Sequence, residues 1–239
     1  MHYVLGDIHN ESEKLKRVLK QMELGPGDEV ILLGDLFDRG YENTDPVEVY
    51  FLLSQVSANV KWVAGNHDIW LARYIQYYFA TPERKREKLR PYDYNSFERM
   101  QGRLTEADLM ELAGLILSKP LMLQETVGDR NYLFSHARTS HPLKTQQPED
   151  HYLLGGLDLG QFFLDGIEGY VSICGHTPVS NVAHFGGRYL DEEGRSIWAN
   201  EKGNVVLLDC GAGFGGGTLA GICLETGERF YSDSPRHAT

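Results

Sequence analysis

The sequence is poor in cysteine, in positive charge and in long apolar runs, and each shortage excludes a class of protein. Its three cysteines, Cys174, Cys210 and Cys223, are odd in number and form no C-x-x-C pair. That excludes a disulfide framework and a cysteine zinc site; reduced thiols buried in apolar strands are expected. No run of about 18 apolar residues is present, so no membrane span is expected. Lys and Arg number 23 against 34 Asp and Glu, a formal net charge of −11. A binder of duplex nucleic acid carries a basic face, and this balance argues against one. The G-K-[ST] of a P-loop is also missing. The chain runs from Met1 into the strand-like His2-Tyr3-Val4-Leu5 with no basic, apolar leader. No secretory signal is therefore expected, and the expected location is cytoplasmic.

What is present has the composition of a globular protein, 41% hydrophobic and 24% charged over 239 residues. That length suits one large domain, 1–239. The first third alternates strands and helices. Apolar runs predict strands at 2–5, 29–33 and 60–63. Between them Leu15, Val18, Leu19 and Met22 recur at helical spacing over 11–23, and Pro46 opens a helix over 47–56. This is βαβ architecture. Residues 69–119 differ and predict a helical cap insertion: they hold Tyr74, Tyr77 and Tyr78, a charged run over 84–90, and Thr105-Glu106-Ala107-Asp108. That last stretch is a capping-box pattern with Asp for the usual Glu, opening a helix through Ser118. A hairpin is predicted over 121–127 and 131–134, then a polar loop to about 150, a short helix near 158–167 and a strand over 170–174. The end reads as β, with its strongest strands at 204–210 and 219–224 and turns at 192–195, 201–204 and 225–228.

Each strand of the βαβ pattern delivers polar residues at its carboxyl end, where open α/β sheets bind ligands. The clusters are Asp7 with His9; Asp35, Asp38 and Arg39; Asn66 with His67; His136; and His176. The second lies in Gly34-Asp35-Leu36-Phe37-Asp38-Arg39-Gly40, whose glycines allow tight turns and whose arginine offers a planar guanidinium suited to phosphate. Singly, each has a bland reading: a structural histidine, a helix-capping Asp7, a turn residue at Asn66. Five clusters, all at strand ends, argue against that reading as a set. Imidazole mixed with carboxylate suits Mn²⁺, Fe or Zn²⁺ and is too nitrogen-rich for Ca²⁺. Two Asp, one Asn and three His exceed what one tetrahedral ion needs, whereas a carboxylate bridging two ions about 3.5–4 Å apart would use them all. Asp35, from the central strand of the three, is the natural bridge.

Gly6-Asp7-Ile8-His9, Gly34-Asp35-Leu36-Phe37-Asp38-Arg39-Gly40, Gly65-Asn66-His67-Asp68, Ser135-His136-Ala137 and Gly175-His176-Thr177 resemble the five ordered motifs of calcineurin-like metallophosphoesterases. The D-R-G ending and the G-H-T-P form are most similar to the branch holding phosphoprotein Ser/Thr phosphatases and symmetrical diadenosine tetraphosphatases. The resemblance implies an α/β fold, a four-layer αββα sandwich of two mixed β-sheets, with the metal site at the carboxyl ends of the strands. It implies that Asp7 and His9 bind a first divalent ion, that Asp35 bridges, and that Asn66, His136 and His176 complete a second. It implies that His67 is the general acid, oriented by Asp38, and that Arg39, Asn66 and His67 contact the substrate. Two divalent ions are expected, Mn²⁺ first, with Fe or Zn²⁺ as alternatives; between them water is activated for in-line attack on phosphorus. The expected partner is a phosphorylated substrate, either a phosphoprotein or a small phosphate ester or nucleotide, with no nucleic-acid duplex and no membrane. Dinucleoside polyphosphate hydrolysis is the alternative activity. A catalytically inactive scaffold is a third reading, opposed by the intact motif residues.

The sequence departs from the family pattern in three places. Asn10 stands where Gly is usual, and Asp68 where Glu is usual. Residues 139–175 hold no Arg and no Trp, although the phosphoprotein branch places a second phosphate-gripping Arg there. The stretch 151–156 is the corresponding region, and Arg138, Lys144 or a cap residue are candidate substitutes. Three other signals read as structural. Gly211-Ala212-Gly213-Phe214-Gly215-Gly216 matches G-x-G-x-x-G, but β-like sequence follows it where a dinucleotide site needs a helix, so a glycine-rich turn near the metal site is expected. The basic run reads as a solvated helix face interleaved with Glu83 and Glu87, rather than an attractor of acidic substrate. Tyr92 and Tyr94, with the earlier tyrosines, read as cap-to-core packing rather than a base-stacking platform.

Overall fold

Short apolar strands, each leaving into a polar loop, build two mixed sheets in this computed structural model, which describes residues 1–41, 44–144 and 146–233. Residues 234–239 of the expected single domain lie outside the described residues. In the first sheet β1 (His2–Leu5), β2 (Glu29–Leu32) and β3 (Asn59–Trp62) run parallel in that order. β10 (Ala220–Cys223) pairs antiparallel with β1 on its other side, and β11 (Arg229–Tyr231) closes that edge. The second sheet has the order β4 (Met122–Val127), β5 (Arg130–Ser135), β6 (Val171–Cys174), β9 (Val205–Leu207), β8 (Trp198–Ala199) and β7 (Arg188–Tyr189). β5, β6 and β9 are parallel there, and β4 joins β5 in the expected hairpin.

Strands buried on both faces are apolar throughout, and alternate residues serve different cores. Tyr3, Leu5, Val30 and Leu32 join a core with Leu15, Val18 and Met22 of α1 (Ser12–Met22). Val4, Ile31 and Leu33 join a second core with Phe134, Ile173, Val205 and Leu207 of the other sheet. The result is the expected α/β sandwich. α2 (Pro46–Ser54) begins as Pro46 predicts, with Asp45 as its cap: its Oδ1 accepts from the Val47 and Glu48 N–H groups at 3.0 and 3.1 Å. All three late turns join strands as expected.

The cap is helical: α3 (Asn66–Ala80), the single turn α4 (Glu83–Arg86), α5 (Ser96–Gln101) and α6 (Glu106–Leu117). The Thr105–Asp108 capping box forms as expected. Helix starts earlier than expected, however, at residue 66 rather than 69. Asp68 explains this: its carboxylate accepts the Gly65 N–H at 3.1 Å and nucleates the first turn around Asn66 and His67. The basic run forms no continuous helix face. Arg86 lies 5.0 and 5.2 Å from the Phe79 and Tyr78 rings, and Arg90 pairs with Asp93 at 2.7 Å. A second difference is α7 (Glu149–Leu154), a helix not expected, which begins where the expected polar loop ends; with α8 (Leu159–Asp165) it makes the crossover between β5 and β6. No helix among the described residues is long and apolar enough to cross a membrane.

Candidate metal centre

The carboxyl ends of β1, β2, β3, β5 and β6 converge, and the loops leaving them tie to one another through backbone hydrogen bonds. The Ile8 and His9 N–H groups both donate to the Asp35 carbonyl at 3.0 Å, and Gly175 N–H donates to the His136 carbonyl at 2.8 Å. Among the described residues, seven that are not glycine have positive φ, and six of them lie here: His9, Asn10, Asp35, Asp38, Arg39 and His176. Such backbone is strained and persists only where its surroundings over-determine it. Gly175 and Gly213 are glycines for want of room. A Cβ at Gly175 would overlap the Asp7 carboxylate, and one at Gly213 would stand 2.7 Å from the His9 Cβ. The glycine-rich turn thus passes the cluster as expected, and no helix follows it among the described residues.

Asp35 stands at the middle. Its Oδ1 accepts the His67 N–H at 2.9 Å, in the first turn of α3. Its Oδ2 lies 3.7 Å from His9 Nε2 and 3.3 Å from His136 Nε2. Two groups of side chains able to hold a metal ion share it: Asp7, His9 and Asp35, and Asp35, His136 and His176. Asn66 adds an oxygen to the second, with Oδ1 3.0 Å from both His136 Nε2 and His176 Nδ1. His9 Nδ1 lies 3.2 Å from the Phe37 carbonyl and His136 Nδ1 2.8 Å from the Leu33 carbonyl. Donation there turns each Nε2 lone pair into the cluster, the arrangement metal-binding imidazoles use. His136 Nε2 and His176 Nδ1 also face each other at 3.2 Å. Buried nitrogen and oxygen atoms gathered this closely fit cations.

Charge is expensive here, and each group responds to its neighbours. Burial, then Asp209, push Asp7 well above the usual carboxylate range. Burial works the same way on Asp35 but is overcome by His136, His67 and His9, which hold it below that range. Burial disfavours charge on His136 too, yet Asp35 beside it wins and raises it to about 10. Burial lowers His9 to about 4, and burial with His136 alongside lowers His176 to about 3.

A second constellation adjoins the first. His67 is fully buried, with Nδ1 3.2 Å from Asp38 Oδ2 and no hydrogen-bond partner at Nε2. Half-buried Arg39 lies with its guanidinium 5.2 Å from the Phe214 ring. All the motif residues singled out in sequence are therefore brought together. The candidates for a second phosphate-binding cation are not among them. Arg138 donates to the Gly155 carbonyl at 3.2 Å and lies 5.7 Å from the Phe162 ring, Lys144 is exposed, and the 151–156 stretch is largely α7.

Sequence reasoning passed over Asp209, which is 1% exposed and pushed up to about 6 by burial with Asp35 nearby. It follows the end of β9 just as Asp7 follows β1, so the strand-end rule applied to β9 would have found it. Tyr92 packs against the core as expected, and its hydroxyl also donates to Asp38 Oδ2 at 2.5 Å. No sequence signal marks that contact across 54 positions.

The fold of two mixed sheets carries, at its strand ends, a paired carboxylate–imidazole cluster suited to divalent metal ions. A model of the calcineurin-like phosphoesterase family matches residues 3–208, and the chain belongs to that family. Among named relatives, the symmetrical bis(5'-nucleosyl)-tetraphosphatase of Cronobacter sakazakii is 29% identical over 136 residues, 56% of this chain and 42% of its own. That of Sodalis glossinidius is 40% identical over 70 residues, 29% and 24% of the two chains. That of an Enterobacter species is 27% identical over 172 residues, 70% and 55% of the two. The matches thus span about half the length of these relatives or less. Among solved structures, a Saccharomyces cerevisiae protein serine/threonine phosphatase superposes with a TM-score of 0.55 at 16% identity, covering 96% of this chain and 79% of that one. A Sphaerobacter thermophilus metallophosphoesterase gives 0.51 at 18%, covering 96% and 86%. These two likenesses concern the fold.

Proposed function

We propose that this chain hydrolyses phosphate monoesters of the phosphoserine or phosphothreonine kind, with Asp7, His9 and Asp35 holding one divalent cation and Asp35, Asn66, His136 and His176 another. Mn²⁺ is the first choice, with Fe or Zn²⁺ also suited to this donor set. When bound, the pair supplies Lewis acidity toward phosphate oxygens and lowers the pKa of water to near neutral. The protein's residues do the rest. Arg39 offers a forked donor to the phosphate oxygens, with Asn66 and His67 beside it. Asp38 accepts the His67 Nδ1–H, so that the doubly protonated ring presents its second N–H, at Nε2, as the proton given to the departing oxygen. Asp209 adds negative charge beside Asp7, which strengthens the cluster's demand for cations.

The observation that carries this reading is the buried His67–Asp38 pair with a free Nε2. An alkoxide is a poor leaving group and needs that proton; a nucleotide leaving through a phosphoanhydride needs it far less. Hydrolysis of dinucleoside polyphosphates is the second reading, favoured by the names of the matched relatives. The test is a substrate panel with added Mn²⁺: an aryl phosphate, a phosphopeptide and diadenosine tetraphosphate, on wild type and His67→Ala. His67→Ala is expected to lose far more turnover on the phosphopeptide than on the aryl phosphate. Equal losses would sink the proton-donor role. Two bound metals with no turnover of anything would favour a scaffold. The acidic balance and the absence of a membrane-spanning helix among the described residues are consistent with a cytoplasmic enzyme.

A further inference from the structure

The cap reaches into the site at one short segment, residues 92–96, and every polar contact it makes there lands on the loop carrying Asp38 and Arg39 or on the loop beside it. The Tyr92 hydroxyl donates to Asp38 Oδ2 at 2.5 Å, the oxygen that also faces His67 Nδ1 at 3.2 Å. Ser96 Oγ accepts the Asp38 N–H at 2.7 Å, and Asn95 Nδ2 donates to the Arg39 carbonyl at 2.7 Å. Asp38 and Arg39 have φ of 65 and 58°, left-handed values that side-chain-bearing residues adopt at a cost. The Tyr94 ring stands 4.4 Å from the His67 ring and Trp70 stands 5.0 Å from it, so the imidazole cannot swing freely.

We propose that Tyr92 is a positioning residue for proton transfer: with its neighbours on the cap it holds Asp38, and through Asp38 aims His67 Nε2 at the leaving oxygen. This rests on the reading of His67 as the proton donor. The physical argument is about rotation. A carboxylate with one partner turns about its terminal bond at little cost, and here Asp38 Oδ1 has no partner to oppose that. A second, charge-assisted hydrogen bond to Oδ2 fixes the plane. Burial, with Asp38 alongside, pushes the Tyr92 phenol far above its ordinary range, so it stays protonated and always donates. Removing the hydroxyl leaves the ring in place and frees the carboxylate. The imidazole then loses its aim, and general acid catalysis is sensitive to such misplacement.

The experiment uses full-length protein loaded with Mn²⁺ and compares an alkyl with an aryl phosphate. Tyr92→Phe is expected to lower kcat on the alkyl phosphate about tenfold and on the aryl phosphate distinctly less, with KM and metal content held. In an Asp38→Asn background the same change is expected to add almost nothing, because the pair acts as a unit. Equal losses on both substrates, or losses that multiply with Asp38→Asn, would overturn the proposal. Ser96→Ala, which weakens the same loop from the backbone side, is expected to show the same substrate selectivity if Tyr92→Phe folds poorly. His67→Ala is run alongside. If it is not selective, the donor reading fails and this inference falls with it. If it is selective and the Tyr92 and Ser96 variants are not, this inference alone fails.

Discussion

Gly175→Ala is expected to disable one half of the metal centre while the fold survives. Gly175 leaves β6 just ahead of His176, and a methyl there would overlap Asp7 Oδ1. The backbone is hard to move, because the Gly175 N–H donates to the His136 carbonyl at 2.8 Å and the His176 N–H to both Asp7 oxygens at 3.2 and 3.1 Å. The carboxylate must therefore retreat, by roughly 1 Å, whereas metal–ligand distances tolerate only about 0.2 Å. Disturbing a ligand's placement in this way weakens metal binding about 10- to 100-fold, roughly 1.4–2.8 kcal/mol. The loss belongs to the ion held by Asp7 and His9. The other ion keeps Asn66 and His136, so two-site titration with Mn²⁺ is expected to show one weakened step and one preserved. Gly114→Ala serves as a control: that glycine lies in α6 with nothing within 4 Å of an added Cβ, and the change is expected to stabilise the protein by about 0.5–1 kcal/mol. Two unchanged binding steps in Gly175→Ala would show that Asp7 holds no ion.

Asp35→Asn and Asp7→Asn are expected to separate the two halves. The shared carboxylate should lose both ions and the unshared one only the first, as read by metal content after dialysis; equal losses would contradict a bridging Asp35. The metal-free protein is expected to lose stability in alkali, while in acid the histidines and the raised carboxylates Asp7 and Asp209 act in opposite senses. His136, raised to about 10, contributes stability that is present below its ordinary 6.5 and is lost as pH rises through about 10. His9 and His176, lowered to about 4 and about 3, contribute stability that is present above 6.5 and fades as pH falls through 6.5 toward those values. Thermal melts in chelator across pH 4–11 check this, and a midpoint that climbs steadily with pH would refute it. Divalent cations are expected to bind more tightly as pH rises from 6 to 8 and to release a proton, because His136 must give one up to offer its lone pair. Calorimetry in buffers of different ionisation enthalpy measures that release.

The strands and the five clusters were legible because each rests on a local rule. A run such as Val30-Ile31-Leu32 is buried on both faces and must be apolar, and the residues that follow it must turn. Where the sequence failed, a distant contact had overridden the local rule. Asn66 and His67 look like a turn, yet Asp68 caps them into a helix, and the His67 N–H then holds Asp35. Asp209 was hidden by apolar neighbours that suggested only a strand. The polar stretch before residue 149 gives no hint of α7, whose Tyr152 and Leu153 are buried. Tyr92 packs on Tyr74 at 5.0 Å, as expected, and nothing local marks the further bond from its hydroxyl to Asp38.

The two mild departures from the family pattern acquire a use once the cap is in view. Asn10, where a glycine is usual, has φ of 63°, a value asparagine tolerates better than most residues. Its Nδ2 donates to Ser96 Oγ at 2.9 Å and to Asn95 Oδ1 at 3.1 Å, so it joins the first metal loop to the cap segment that holds Asp38. Glycine could do neither. Asp68, where glutamate is usual, accepts from the Leu36 N–H at 2.9 Å, the Gly65 N–H at 3.1 Å and Trp62 Nε1 at 3.3 Å, and so joins the second loop to the third. Both departures therefore tie metal-bearing loops to neighbouring elements. They fall on the side of the site where His67, Asp38 and the cap meet, and not on the metal ligands. Both therefore bear on the proposed proton donor and its surroundings, whereas the third departure, the missing second arginine, bears on phosphate binding.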